Sequence, residues 1–230
     1  MNIQGLQKLS LLDFPGKVAC TIFTGGCNLR CPFCHNASLV LTPQENQPLT
    51  EQELLAFLRR RSGILEGICI SGGEPLLQVD LAPLLREIRS LGYAVKLDTN
   101  GCFPEQLAAL IEQGLLDYVA MDIKNAPRQY AATVGIANFD LTPIQKSIDL
   151  LQNSPLPFEF RTTVVQGLHD DTAFHQLGQW LQGTQHYYLQ QFVDSGHLLG
   201  KTAGGFEPQQ MEHFLTIVQT YIPSAQLSGL

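Results

Sequence analysis

The feature that most restricts the fold of this chain is a repeated switch of hydrophobic period. Six short apolar stretches, residues 17–23, 67–70, 93–98, 116–122, 158–165 and 186–192, read as strands. Stretches of helical spacing separate them, and predict helices over 50–61, 79–91, 104–113, 142–153, 171–181 and 207–221. The first helix opens on a capping box, Thr50 with Glu53 three residues on, and its apolar face is Leu54, Leu55, Phe57 and Leu58. Leu81, Leu84, Leu85 and Ile88 form the corresponding face of the second. Residues 1–16 read as an irregular lead-in ending in the turn Asp13-Phe14-Pro15-Gly16, and 38–49 as a loop. Strands alternating with helices imply βα units and a mostly parallel sheet, hence the α/β class. Six units are too few for a closed eightfold barrel, so the expectation is an open, partial (β/α)6 barrel. No linker, charge block or low-complexity segment interrupts it, which makes residues 1–230 one domain.

In parallel α/β folds ligands bind at the C-terminal ends of the strands. Four of those ends carry chemistry: the cysteine loop after 17–23, Ser71-Gly72-Gly73-Glu74, Asp98-Thr99-Asn100-Gly101 and Asp122-Ile123-Lys124. The first is the most specific. Cys27, Cys31 and Cys34 lie within eight residues, spaced C-x3-C-x2-C, in a stretch whose Gly and Pro mark a loop. A loop can curl three sulfurs around one inorganic centre. Iron–sulfur clusters are usually held by four thiolates, so a run of three leaves one iron open to a ligand. Two other readings compete: Cys31 and Cys34 as a thiol redox pair, or half of a zinc site. Zinc would require a second pair, and the remaining cysteines, Cys20, Cys69 and Cys102, are scattered.

At the other strand ends, Gly72 and Gly73 permit close backbone approach by a ligand, and Glu74 offers a carboxylate that can accept from an amine. Asp98 and Asp122 end strands expected to be neighbours. They suit acid–base chemistry, a bound cation, or ribose and amine recognition; as isolated aspartates they equally suit turns and helix caps. Lys124 can neutralise a carboxylate. Arg161 sits inside an apolar strand, where a charge must be paired, either with a ligand carboxylate or with Glu159 or an aspartate. The histidines, His197 included, show no metal-ligand spacing, and Cys102 reads as packing.

A net charge of −7 disfavours nucleic acid as a partner. No apolar run approaches a membrane span, and residues 1–12 lack the pattern of a signal peptide. Half of the six cysteines lie in one loop, which fits a reducing cytoplasm better than a disulfide framework.

Together, the cysteine spacing, Gly72-Gly73-Glu74-Pro75 and the six βα units resemble the radical S-adenosylmethionine enzymes. The resemblance implies a [4Fe–4S] cluster on Cys27, Cys31 and Cys34, with the amine and carboxylate of S-adenosylmethionine on the fourth iron. Reductive cleavage of that cofactor would give a 5′-deoxyadenosyl radical. Gly5-Leu6-Gln7-Lys8, Asp13-Phe14-Pro15-Gly16-Lys17 and the run from Gly26 to Asn36 are similar to the activating proteins of glycyl-radical enzymes, and the opening to those of anaerobic ribonucleoside-triphosphate reductases. By this resemblance Gly72, Gly73 and Glu74 take the methionine amine, Asn100 and Lys124 bind other polar edges of the cofactor, and Phe33 lies against the adenine; Arg161, as a charge in an apolar strand, is a candidate cofactor contact on its own account. Asp98, Thr99, Asp122 and the carbonyl of Ala120 are implied as ligands of a monovalent cation. There is no second run of clustered cysteines, so one cluster is expected. His197 comes after the last strand rather than on it, and its role stays open.

The function implied is an oxidoreductase that abstracts a hydrogen atom from a glycine of a partner enzyme, fed with electrons by a flavodoxin or ferredoxin. Activation of pyruvate formate-lyase or another glycyl-radical enzyme is an alternative. Others are a radical enzyme acting on a small molecule, such as a carboxy-deazaguanine synthase, an electron-carrying iron–sulfur protein, and a zinc-stabilised scaffold.

Overall fold

The computed structural model describes residues 1–41, 48–194, 198–200 and 204–229. Among these residues eight strands form one sheet in sequential order: β1 (Ile3–Ser10), β2 (Ala19–Thr24), β3 (Gly67–Gly72), β4 (Ala94–Thr99), β5 (Tyr118–Asp122), β6 (Phe158–Val164), β7 (Tyr187–Gln191) and β8 (Gln226–Ser228). β1 is antiparallel to β2. All other neighbours are parallel, as strands joined through helical crossovers must be. The crossovers are α1 (Ala37–Leu41) and α2 (Glu51–Arg60), α3 (Leu81–Ser90), α4 (Pro104–Glu112), α5 (Tyr130–Val134) and α6 (Thr142–Gln152), α7 (Asp171–Trp180), and α8 (Pro208–Gln219). β1 and β8 stand at opposite ends of the order, so the sheet is an open partial barrel.

The six expected strands and six expected helices are all present. The capping box closes as read: Glu53 N donates to Thr50 Oγ1, and Thr50 N to Glu53 Oε2. The apolar faces of α2 and α3 are buried as expected, each large side chain contributing about 2 kcal/mol.

Among the described residues, two strands and two α-helices were not foreseen. Residues 1–16 are not an irregular lead-in, because β1 occupies Ile3–Ser10. It is an edge strand with Ile3 and Ser10 buried and Gln7, Lys8 and Leu9 exposed, so one covered side suffices and no apolar alternation is imposed. The segment 38–49 is not wholly loop either. α1 takes its start, Leu49 pairs with Ile3, and 42–47 lie outside the described residues. α5 and β8 have five and three residues, too few to establish a period.

Period-two alternation gives the sheet two unlike faces. On one, Ile70, Leu97 and Val119 lie abreast and fully buried. On the other the register aligns Cys69, Lys96 and Tyr118, then Asp98, Ala120 and Glu159, then Asp122, Arg161 and Tyr188. The interior face of the barrel is therefore polar, and its upper rows reach the C-terminal strand ends.

Candidate active site

The cysteine loop leaves β2 and is tied down on several sides. Gly26 N donates to Leu39 O at 2.8 Å, Arg30 N to Val134 O at 2.9 Å, and Gly200 N to Pro32 O at 2.7 Å. The unforeseen α1 and α5 are thus braces for this loop. Cys27, Cys31 and Cys34 line one cleft at the strand ends, with Phe33 between the last two. Burial pushes Cys31 up to about 11 and also raises Cys27, with Lys124 opposing both. A redox pair needs the reverse, whereas a metal centre displaces the protons on binding. Among the described residues no His, Cys, Asp and Glu side chains are gathered as a single metal ion such as tetrahedral zinc requires. Three sulfurs facing one cleft, with Cys102 outside its lining, suit a larger centre that keeps one position open. The donor set fits a [4Fe–4S] cluster.

Gly72 and Gly73 border the same cleft, but their lack of side chains serves the protein first. A Cβ on Gly73 would stand 1.9 Å from Gly26 O, and one on Gly72, whose φ is +118°, 2.2 Å from Thr24 N. Gly73 N donates to Thr24 O at 2.9 Å and Glu74 N to Gly26 O at 2.8 Å. The two loops interlock through bare backbone.

Glu74 also faces inward. It is fully buried, absent from the cleft lining, and accepts from Leu76 N at 3.0 Å, Thr99 Oγ1 at 2.9 Å and Asn100 N at 2.7 Å. Burial pushes its carboxyl up to about 7 against the pull of these hydrogen bonds. The glutamate therefore clamps the end of β3 to the end of β4. Asn100 continues the brace: Nδ2 donates to Asn28 Oδ1 at 2.8 Å, while Oδ1 accepts from Cys102 N at 3.0 Å. Its side chain nevertheless borders the cleft.

The cleft floor is ionic. Arg161 Nη2 lies 3.0 Å from Asp122 Oδ1 and 3.5 Å from Asp98 Oδ2, and Nη1 lies 3.9 Å from Glu159 Oε1. Lys124 Nζ is 2.9 Å from Asp122 Oδ2. Burial works against the ionised form of Asp122, but the Lys124 and Arg161 charges win and hold it well below the usual carboxylate range. Lys96 Nζ pairs with Asp98 Oδ1 below the floor. Asp98 and Asp122 are on neighbouring strands, as anticipated.

Of the residues singled out from the sequence, Cys27, Cys31, Cys34, Phe33, Gly72, Gly73, Asp98, Thr99, Asn100, Asp122, Lys124 and Arg161 border one cleft. Glu74 and Ala120 lie outside its lining, and His197 outside the described residues. Sequence reasoning missed Val40, Thr163 and Leu199 in the lining, which carried no distinguishing signal. It also missed Lys96, which did carry one: like Arg161, it is a charge inside an apolar strand.

Residues 21–175 match the family described as the Radical SAM superfamily, and the chain belongs to that family. It is an enzyme of a class that works with a [4Fe–4S] cluster and S-adenosylmethionine. A protein of Methanocaldococcus jannaschii, provisionally named a glycyl-radical enzyme activating enzyme, is 34% identical over 197 residues, 83% of this chain and 79% of its own. The pyruvate formate-lyase-activating enzyme of Staphylococcus epidermidis is 28% identical over 181 residues, 74% of this chain and 70% of its own. Among solved structures, Streptococcus suis SuiB bound to S-adenosylmethionine superposes with a TM-score of 0.67 at 14% identity, over 89% of this chain and 48% of SuiB. That likeness concerns the fold alone, and the chain spans about half of SuiB's length.

Proposed function

We propose that the chain activates a glycyl-radical enzyme by removing one hydrogen atom from a glycine of that partner. The observation that carries the reading is the open cleft in which three thiols of one loop face the polar ends of β3, β4, β5 and β6. The activating-enzyme names of two relatives support it. In this reading Cys27, Cys31 and Cys34 hold the cluster. The Gly72–Gly73 backbone borders the methionine amine, and Arg161 turns from the floor to its carboxylate, while Lys124 keeps Asp122 neutralised and offers its remaining donors to a polar edge of the cofactor. Asn100 meets a polar edge of the cofactor, and Phe33 covers the adenine. Glu74 holds the rim in place rather than the amine. The bound cluster would supply the electron that splits S-adenosylmethionine; the overall change yields methionine, 5′-deoxyadenosine and a partner lacking one glycine hydrogen. The chain's own part is to fix the cofactor against the open iron and to leave the cleft accessible to a protein loop. All six cysteines are free, in keeping with a reducing cytoplasm. Among the described residues no helix is long and apolar enough to cross a membrane.

The partner we favour is an anaerobic ribonucleoside-triphosphate reductase, on the strength of the Gly5–Lys8 and Asp13–Lys17 segments, with a flavodoxin or ferredoxin as electron donor. The test is electron paramagnetic resonance after anaerobic incubation with S-adenosylmethionine, reduced flavodoxin and either that reductase or pyruvate formate-lyase. A glycyl radical on the reductase is expected. A radical on the lyase alone would reassign the partner, and 5′-deoxyadenosine with a radical on neither would refute both partner assignments.

A further inference from the structure

The residues that a monovalent metal ion would use are already occupied by the chain itself. Asp98 is paired with Lys96 and Arg161, and Asp122 with Lys124 and Arg161. The Thr99 hydroxyl is turned away, donating to Glu74 Oε1 at 2.9 Å and accepting from Gly101 N at 3.2 Å. Three carboxylates, those of Asp98, Asp122 and Glu159, face three cationic side chains, those of Lys96, Lys124 and Arg161. A metal ion added here would leave uncompensated positive charge in a largely desolvated place, which is costly. The residues do not fit that ion.

The three cations differ in their freedom. Lys124 and Arg161 border the cleft and can turn toward a ligand. Lys96 cannot: it is 1% exposed and absent from the cleft lining. Apart from Asp98, its Nζ contacts only Cys69 Sγ, at 3.8 Å, in the described hydrogen bonds. Its place two residues before Asp98 on β4 puts both side chains on the interior face. When Arg161 leaves for a ligand, Lys96 still neutralises Asp98.

We propose that Lys96 is a built-in counter-cation: its ammonium does at Asp98 what a bound alkali ion would do, so cofactor binding needs no added alkali ion. Lys96 is a positioning residue, acting through Asp98. The inference rests on the reading of the cleft as the S-adenosylmethionine site.

The test compares the cluster-loaded wild type and Lys96→Met in choline, sodium and potassium chloride at equal ionic strength, with S-adenosylmethionine binding followed by equilibrium dialysis. Wild-type affinity should agree within about twofold in the three salts, while Lys96→Met should bind about tenfold more weakly in choline and recover in sodium or potassium. Wild-type binding that tightens about tenfold on adding either ion would overturn the proposal. So would a variant unaffected in choline, or a loss that no alkali ion restores. Thermal unfolding of the cluster-free proteins in the same salts provides a readout independent of the cofactor. Sodium or potassium should stabilise Lys96→Met and leave wild type unchanged; an equal response of both contradicts the proposal. Failure of both proteins to bind S-adenosylmethionine in any salt would count against the cleft reading, and the melting comparison would still decide Lys96.

Discussion

Replacing Glu74 by glutamine should remove a pH dependence of stability that the rim carries. The carboxyl is fully buried and is raised from 4.5 to about 7 by desolvation, despite three donors at 2.7 to 3.0 Å. Because the folded state holds the proton longer than the unfolded chain, the stabilising contribution is complete below 4.5 and lost as pH rises through about 7. Holding the group at about 7 instead of 4.5 costs roughly 3 kcal/mol once the pH exceeds both. Glutamine has nearly the same shape, keeps an acceptor for Leu76 N and Thr99 Oγ1, which share one carboxylate oxygen, and has no charge to desolvate. Its amide must face one former donor, a mismatch of about 1 kcal/mol that does not vary with pH. Anaerobic denaturant unfolding of cluster-free wild type and Glu74→Gln, from about pH 5 to about pH 8, reads the difference directly. The balance should shift toward the variant by roughly 2.5 kcal/mol across that range, since a little of the cost is already present at about pH 5. His35 and His169, both lowered by burial, are the same in both proteins, so their contributions cancel in the difference. A difference that stays constant with pH would refute the reasoning, since it would mean that the three donors outweigh burial and keep Glu74 ionised throughout.

Gly73→Ala places a methyl against backbone, 1.9 Å from Gly26 O, and should cost about 1–3 kcal/mol together with much of the iron content; wild-type melting and iron per chain would contradict the interlocked-loop account. Arg161→Met should cost about 3 kcal/mol near neutral pH, because it strips a partner from two largely buried carboxylates. That cost should shrink toward about pH 3 in denaturant unfolding, since the Asp122 contribution is present above the ordinary carboxylate value and lost as pH falls. A penalty that grows in acid would be inconsistent with it.

The sequence made the parallel barrel legible because each βα unit repeats the same change of period, and buried strands tolerate few exceptions. It hid what escapes that pressure: β1 is half exposed, α5 and β8 are short, and α1 borders the undescribed 42–47. The cleft was legible at the strand ends because chemistry-bearing residues cluster there. Which way each side chain turns was not. Glu74 reads as a ligand-facing carboxylate from its neighbours in sequence, yet its nearest donors, Thr99 and Asn100, lie on the next strand end, about two dozen residues on. Arg161 was recognised as a charge requiring a partner, and the same argument applied to Lys96 would have found the second cation beneath the floor.

The most direct test of the central claim is the amount of 5′-deoxyadenosine formed per reduced cluster by anaerobically reconstituted wild type and Cys34→Ala. The account predicts production by wild type that scales with reduced cluster, and none by a Cys34→Ala protein that melts like wild type before reconstitution. Cleavage by the variant, or a reduced cluster in wild type that yields no 5′-deoxyadenosine even with the partner enzyme present, would contradict it.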